Sequence, residues 1–457
     1  MTLLNSNSNS TRWRAKAAFA GIVVLFGFWI AAHRMASGAM RRAEAAVVAL
    51  GSSLDPRQVV PALPADGQNA HQALEAARRW QRNDDQTLYR KLHNRLQREI
   101  LKGGSRMTAE DVQLFRRAVE HYGPVLEILD SASSIDSARF EFDPDRPTFS
   151  QLPYLNATEH FADLLSARAQ IALTEGRPAT AWRDVRAIFR LAAWSSEEMP
   201  ILVSQLMAYT AVGIATLEVH ALLRGGAEPD AAEVAAVLAE ARRPDLRAAF
   251  DLALEMERAE MVTWLHDENQ GPGLIRSWFP GILPWLSARP LRPWLTFDLA
   301  FYAGAMTEFA ADVGRPAFDR PAVAGYPGRL EAHYPVPAWA PLTRRLLNEN
   351  LIHACNKRDD ALASIDLMEI AFRLEEHRRS SGSYPPTLEG LGAIPVDPFS
   401  SKPYAYRQTA SGAVLYSFGM DRDDDGGEPH PARSNGDWDK YQGDRVWFLS
   451  PATPTSR

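Results

Sequence analysis

The chain has 457 residues, of which 46% are hydrophobic and 23% charged, with a formal net charge of -6. That composition belongs to a folded protein longer than one core usually holds, and it excludes the cationic footprint of a nucleic-acid binder. Its one cysteine, Cys355, excludes an intramolecular disulfide and a multi-cysteine zinc site, and its mixed apolar surroundings predict a buried, unreactive thiol.

In chain order the first element is an anchor. Ala17–Ala32 reads AAFAGIVVLFGFWIAA and carries no charge. A bilayer core of ~30 Å takes about twenty helical residues, so the run spans it when Ala15, Lys16 and Arg34 extend its ends, giving membrane contact through residues 15–34. Arg12, Arg14 and Lys16 precede the run closely, while Arg41 and Arg42 lie farther beyond it. The positive-inside rule therefore predicts residues 1–35 as a cytoplasmic tail and transmembrane anchor, with the bulk of the chain outside the cell membrane. A cleaved signal peptide is the competing reading, but the run is long for one and AHRMASGA is a poor cleavage site. A second uncharged run, Met199–Leu217, contains Ser204, Gln205, Tyr209 and Thr210 and reads as a buried core helix.

Residues 36–312 read as a helical domain. His71–Leu101 is one predicted helix; Thr108–His121 opens with a capping box at Thr108 and Asp111; Phe161–Glu175, Ala179–Trp194, Pro200–Leu223, Asp230–Arg243 and Asp245–His266 follow. Glu175-Gly-Arg-Pro178, Gly225-Gly226 and Gly271-Pro-Gly273 punctuate them. Ala167–Ala192 has the form of one tetratricopeptide-type hairpin, but no 34-residue period recurs, so packed antiparallel hairpins are expected. Glu257 and Glu260 share a face of their helix and read as solvated. Trp278, Trp285, Trp294 and Trp339 lie among prolines and are expected to pack against the body. Residues 313–350 form a proline-rich connection.

Residues 351–457 make the last module. Asp359 is the expected start of a helix whose Leu362, Ile365, Met368 and Phe372 share a face; strands follow at Tyr404–Gln408, Ala413–Phe418 and Arg445–Leu449. The whole chain is therefore expected to be mainly α, with a transmembrane helix, a multi-helix domain and a small C-terminal α+β module bearing a short antiparallel sheet.

Within this module, Pro395, Asp397 and Pro398, then Pro403, Tyr404 and Tyr406, then Tyr416, Ser417, Gly419, Asp421, Gly426 and Gly427 follow in a telling order. This order resembles the C-terminal region of type II secretion major pseudopilins over residues 359–449. The resemblance implies a helix leading into an antiparallel sheet, a calcium-binding loop after it, and a bacterial envelope setting beside a secretion or pilus-like machine. The anchor lacks the acidic residue and processing site of a pseudopilin, and more than 300 residues intervene, so filament assembly is not expected.

Asp421, Asp423 and Asp425 occupy alternate positions before Gly426, a spacing that lets carboxylates converge on calcium, a hard ion taking six to eight oxygens. Ala432 stands where an EF-hand needs glutamate, so the remaining oxygens must come from carbonyls and a later acid. By the resemblance that acid is Asp437, or next Asp439; Asp444 is a further candidate. The competing reading is a solvated acidic turn. No zincin, Walker, nucleophile-elbow or dinucleotide motif occurs, and no catalytic residue is assigned. The expected function is a membrane-anchored extracytoplasmic interaction or structural protein with a calcium-stabilised module and an unidentified protein partner. The alternatives are an envelope hydrolase whose site is not visible in sequence, or a calcium-dependent adhesion or ligand-binding protein.

Overall fold

The computed structural model describes residues 6–65, 67–101, 107–143, 145–151, 155–267, 271–278, 291–320, 335–347, 349–428 and 443–449. The chain divides into two compact units, one comprising Met1–Val59, Glu257–Phe309 and Tyr334–Asn348, the other Val60–Met256, Ala310–His333 and Glu349–Arg457.

The helices are α1 Ser6–Ala49, α2 Pro56–Val59, α3 His71–Arg82, α4 Thr87–His93, α5 Ala109–His121, α6 Gly123–Ala132, α7 Ala157–Thr174 and α8 Pro178–Glu198. They continue with α9 Leu202–Arg224, α10 Ala231–Ala241, α11 Leu246–His266, α12 Gly271–Trp278, α13 Arg292–Val313, α14 Pro341–Leu346 and α15 Glu349–Ser381. With the sheet described below, the architecture is mainly α.

In the first unit, α1 contains the apolar run, and Phe19, Ile22, Leu25, Phe26 and Phe28 are all more than half exposed, as a candidate membrane helix requires. Farther along α1, Ala36 and Val47 are buried. The chain beyond α1 is fixed to α11: Arg258 donates to Ser52 Oγ (2.8 Å) and Thr263 Oγ1 donates to the Leu54 carbonyl (2.9 Å). Trp294 and Trp339 are 50% and 41% exposed; the Trp339 ring meets Phe301 of α13 edge-on at 5.6 Å, and the Trp294 indole donates to the Trp339 carbonyl.

In the second unit, α7, α8 and α9 form successive antiparallel hairpins, because the Glu175–Arg177 turn and the Met199–Ile201 link are too short for anything else. Gly176 at φ +72° supplies the left-handed residue that ends α7. The uncharged run lies in α9, two-thirds buried, so it is a core helix. The Thr108 capping box is present in both directions. The single helix expected over His71–Leu101 is broken: Asp85 accepts the Thr87 amide and hydroxyl, starting α4 separately, and a π-helical stretch, Asn94–Leu101, follows.

α15 begins ten residues before the expected start at Asp359. Asp359 is buried within the helix and paired with Arg358 (3.0 Å) and with Arg320, so its charge is neutralised and no longer marks a terminus. α15 packs on α9 and against the sheet. The sheet is antiparallel in the order β1 Ala405–Thr409, β2 Gly412–Ser417, β3 Arg445–Leu449, with Thr409 opposite Gly412 and Ser417 opposite Arg445. His220 of α9 stacks on Trp447 at 4.8 Å, and its Nε2 donates to the Phe448 carbonyl (2.9 Å), fastening β3 to the helical layer.

Candidate metal centre

β2 and β3 are neighbours in the sheet, so the long connection from Phe418 to Asp444 must leave and return at one place. Gly419, at φ +72°, approaches the returning chain so closely that an added Cβ would lie 2.7 Å from the Gly443 carbonyl oxygen. At this neck the Gly443 amide donates to Asp421 Oδ2 (2.7 Å), the Gly427 amide to Asp444 Oδ2 (2.6 Å), and the Asp444 amide to the Glu428 carbonyl (3.1 Å).

Asp421 is half-buried, with its Oδ1 accepting from the Asp423 amide at 3.3 Å. Asp423 and Asp425 are exposed; Asp423 Oδ1 accepts from the Asp424 amide (3.0 Å). Asp424 accepts from the Tyr416 hydroxyl and the Gly426 amide, which ties the loop to β2. Asp437, Asp439 and His430 lie outside the described residues.

Of the later acids, Asp444 lies among the described residues and is seated against the loop. It is 3% exposed, and its Oδ1 is buried with no hydrogen-bond partner. A buried carboxylate oxygen without a donor carries a full desolvation cost unless a proton or cation supplies the missing interaction. Burial pushes the Asp444 carboxyl up to about 6 against the pull of the Gly427 and Asp425 backbone amides, with the charges of Asp425 and Asp424 adding to the rise. Asp421 is raised too, by burial first and by Asp425 among its neighbours. The Asp425 charge thus adds to the rise of both Asp421 and Asp444, a setting that a cation relieves. Among the described residues no three His, Cys, Asp or Glu side chains converge tightly enough to hold an ion by themselves. Asp444 Oδ1 is one open acceptor at the neck, short of the six to eight oxygens that a calcium ion takes.

Of the resemblance residues outside the loop, Ser417 meets Asp397 directly. This carboxylate is 1% exposed and saturated: Oδ1 accepts from Ser417 Oγ (2.8 Å) and the Phe399 amide (3.1 Å), and Oδ2 from the Phe418 amide (3.1 Å). It fixes the end of β2, and with it the start of the acidic loop.

Glu260 is 5% exposed, and Glu257 is pushed up to about 7 by burial and by Glu260, so these residues are not the solvated face the spacing suggests. Periodicity places both on one side of α11 but does not reveal what covers that side. Cys355 is buried and its thiol is pushed up to about 12, leaving it protonated and inert. His160 is buried between the rings of Tyr89 (3.7 Å) and Tyr122 (4.8 Å). Neighbouring Asp163 accepts from Tyr89 and Gln97 and lies 2.7 Å from His93 Nδ1, a saturated core network.

Comparison with protein-family models, with curated proteins and with solved structures finds no match.

Proposed function

We propose that the chain is a membrane-tethered structural or interaction protein of a bacterial envelope, whose C-terminal module binds calcium as a stabilising ion. The observation that carries this reading is the buried, unpartnered Oδ1 of Asp444 at the neck of the acidic loop. Asp444, Asp421 and Asp425 would hold the ion; calcium would supply charge neutralisation and cross-link the two ends of the β2–β3 connection. The helix–sheet order and the Asp397 staple support likeness to the major pseudopilin module, and through it an association with a secretion or pilus-like machine. The exposed apolar helix supports the tether, with the N-terminus cytoplasmic and the body outside. An open groove of about 570 Å³ between α10 and α15, where Val234, Leu238 and Phe372 meet Arg373, Glu376 and Arg379, supports a partner-binding role.

Calorimetric titration of the full chain in detergent micelles with calcium chloride tests the metal reading. One saturable heat, weakened in Asp421→Ala, is expected; no heat at millimolar calcium would overturn it. A mature N-terminus near Ala36 would overturn the tether.

A further inference from the structure

Arg320 closes the short 317–320 turn, and its guanidinium is fully enclosed within the second unit. Its Nη2 donates to Asp359 Oδ2 inside α15. Neither Nε nor Nη1 has a hydrogen-bond partner among the described residues. The one N–H of Nε and the two of Nη1 thus meet no acceptor, the costliest condition for a buried cation.

The carboxylate beside it is already taken. Asp359 is fully buried, and its Oδ1 accepts from Arg358 Nε (3.1 Å) and Nη2 (3.0 Å). Arg358, equally enclosed, also donates to the Val313 carbonyl (2.8 Å) and lies over the Phe250 ring at 4.9 Å. Two buried cations therefore share one carboxylate. Burial, then the charges of Arg358, Arg422 and Arg247, pull the Arg320 guanidinium down to about 10. Asp251 of α11 acts on Arg358 but does not complete Arg320: burial raises its carboxyl, and its own Oδ1 is buried without a partner. The Tyr209 hydroxyl of α9, which also acts on Arg358, is a further buried donor with no acceptor.

We propose that Arg320 is the centre of a buried anion site, whose uncommitted Nε and Nη1 donors hold a small inorganic anion of the halide class beside the Arg358–Asp359 pair. Full enclosure selects a monatomic ion over a carboxylate or phosphate ester. The anion cancels the second positive charge, is taken up as the unit folds around Arg320, and stabilises the native state by mass action. This site is independent of the acidic loop.

The test uses the full chain in detergent micelles with chelator present, and compares sodium chloride with sodium gluconate at equal ionic strength. Gluconate is too large to be enclosed and reports screening alone. In the wild type, chloride is expected to raise the thermal midpoint by about 3 °C over gluconate, saturating with concentration. The chloride NMR line should broaden on addition of the protein. Arg320→Lys keeps a cation for Asp359 but lacks the extra donor nitrogens, so it should fold and lose the chloride-specific rise. Arg320→Met removes the surplus charge, leaves Asp359 its Arg358 partner, and should lose the rise as well. Arg183→Lys, at an exposed arginine, should keep it. Equal midpoints in the two salts for the wild type would overturn the site. An undiminished chloride-specific rise in Arg320→Lys would overturn it too, by placing the anion elsewhere.

Discussion

Two aspartates lie at either end of the β2–β3 connection, and they are treated in opposite ways. Asp397 receives three hydrogen bonds through its two oxygens, all within 3.1 Å. Asp444, equally buried, receives one on Oδ2 and none on Oδ1. A saturated buried carboxylate is a staple: its charge is balanced by oriented dipoles, and the fold around it is complete. A half-satisfied one among other carboxylates keeps an acceptor open, and a proton or a cation lowers its cost.

The largest effect should come from breaking the staple. Asp397→Ala strands the Ser417 hydroxyl and the Phe399 and Phe418 amides; a loss of about 3 kcal/mol is expected by chemical denaturation, the same with calcium and with chelator. The second break is at His220, which fastens the strand leading from Asp444. Burial holds its imidazole down to about 4, helped by Arg224 and opposed by the Phe448 carbonyl, against about 6.5 unfolded. The unfolded chain therefore binds the extra proton between these values, and stability falls as pH drops from about 6.5 to 4, by up to about 3 kcal/mol. His220→Gln should flatten that part of the pH–stability curve; an unchanged slope would refute the assignment. Asp444→Asn sharpens the comparison directly. It keeps an acceptor for Gly427 and removes one of the repelling charges, so with chelator at pH 8 it should be more stable than wild type by about 1 kcal/mol. The smallest shift is expected from Thr108→Ala, about 1 kcal/mol of destabilisation independent of calcium, since its cap serves α5 alone.

Much of the architecture was legible because it depends on local rules. The uncharged Ala17–Ala32 run, the Thr108 cap, the Gly176 turn and the hairpin between Thr409 and Gly412 each follow from a few adjacent residues. What was not legible depends on partners brought from elsewhere. Asp359 looks like a helix start until Arg320, thirty-nine residues away, neutralises it inside α15. Glu257 and Glu260 look solvated until burial raises one of them. In the candidate site, the spacing of Asp421, Asp423 and Asp425 was visible, but the resemblance favoured Asp437 and Asp439 as the later ligands. Those two lie outside the described residues; Asp444, the further candidate, is seated against the loop. One signal for it was present: Asp444 directly precedes Arg445, the first residue of β3, and sheet pairing must return that position to the neck.

We propose that calcium binds at the open acceptor of Asp444. Thermal unfolding of the full chain with chelator and with saturating calcium tests it most directly. At a calcium concentration about 100 times the dissociation constant, the wild type should gain about 2.7 kcal/mol. Asp397-bearing Asp444→Asn protein, with the staple intact, should gain far less. An equal calcium gain in the wild type and Asp444→Asn, or no gain in either, would contradict the account.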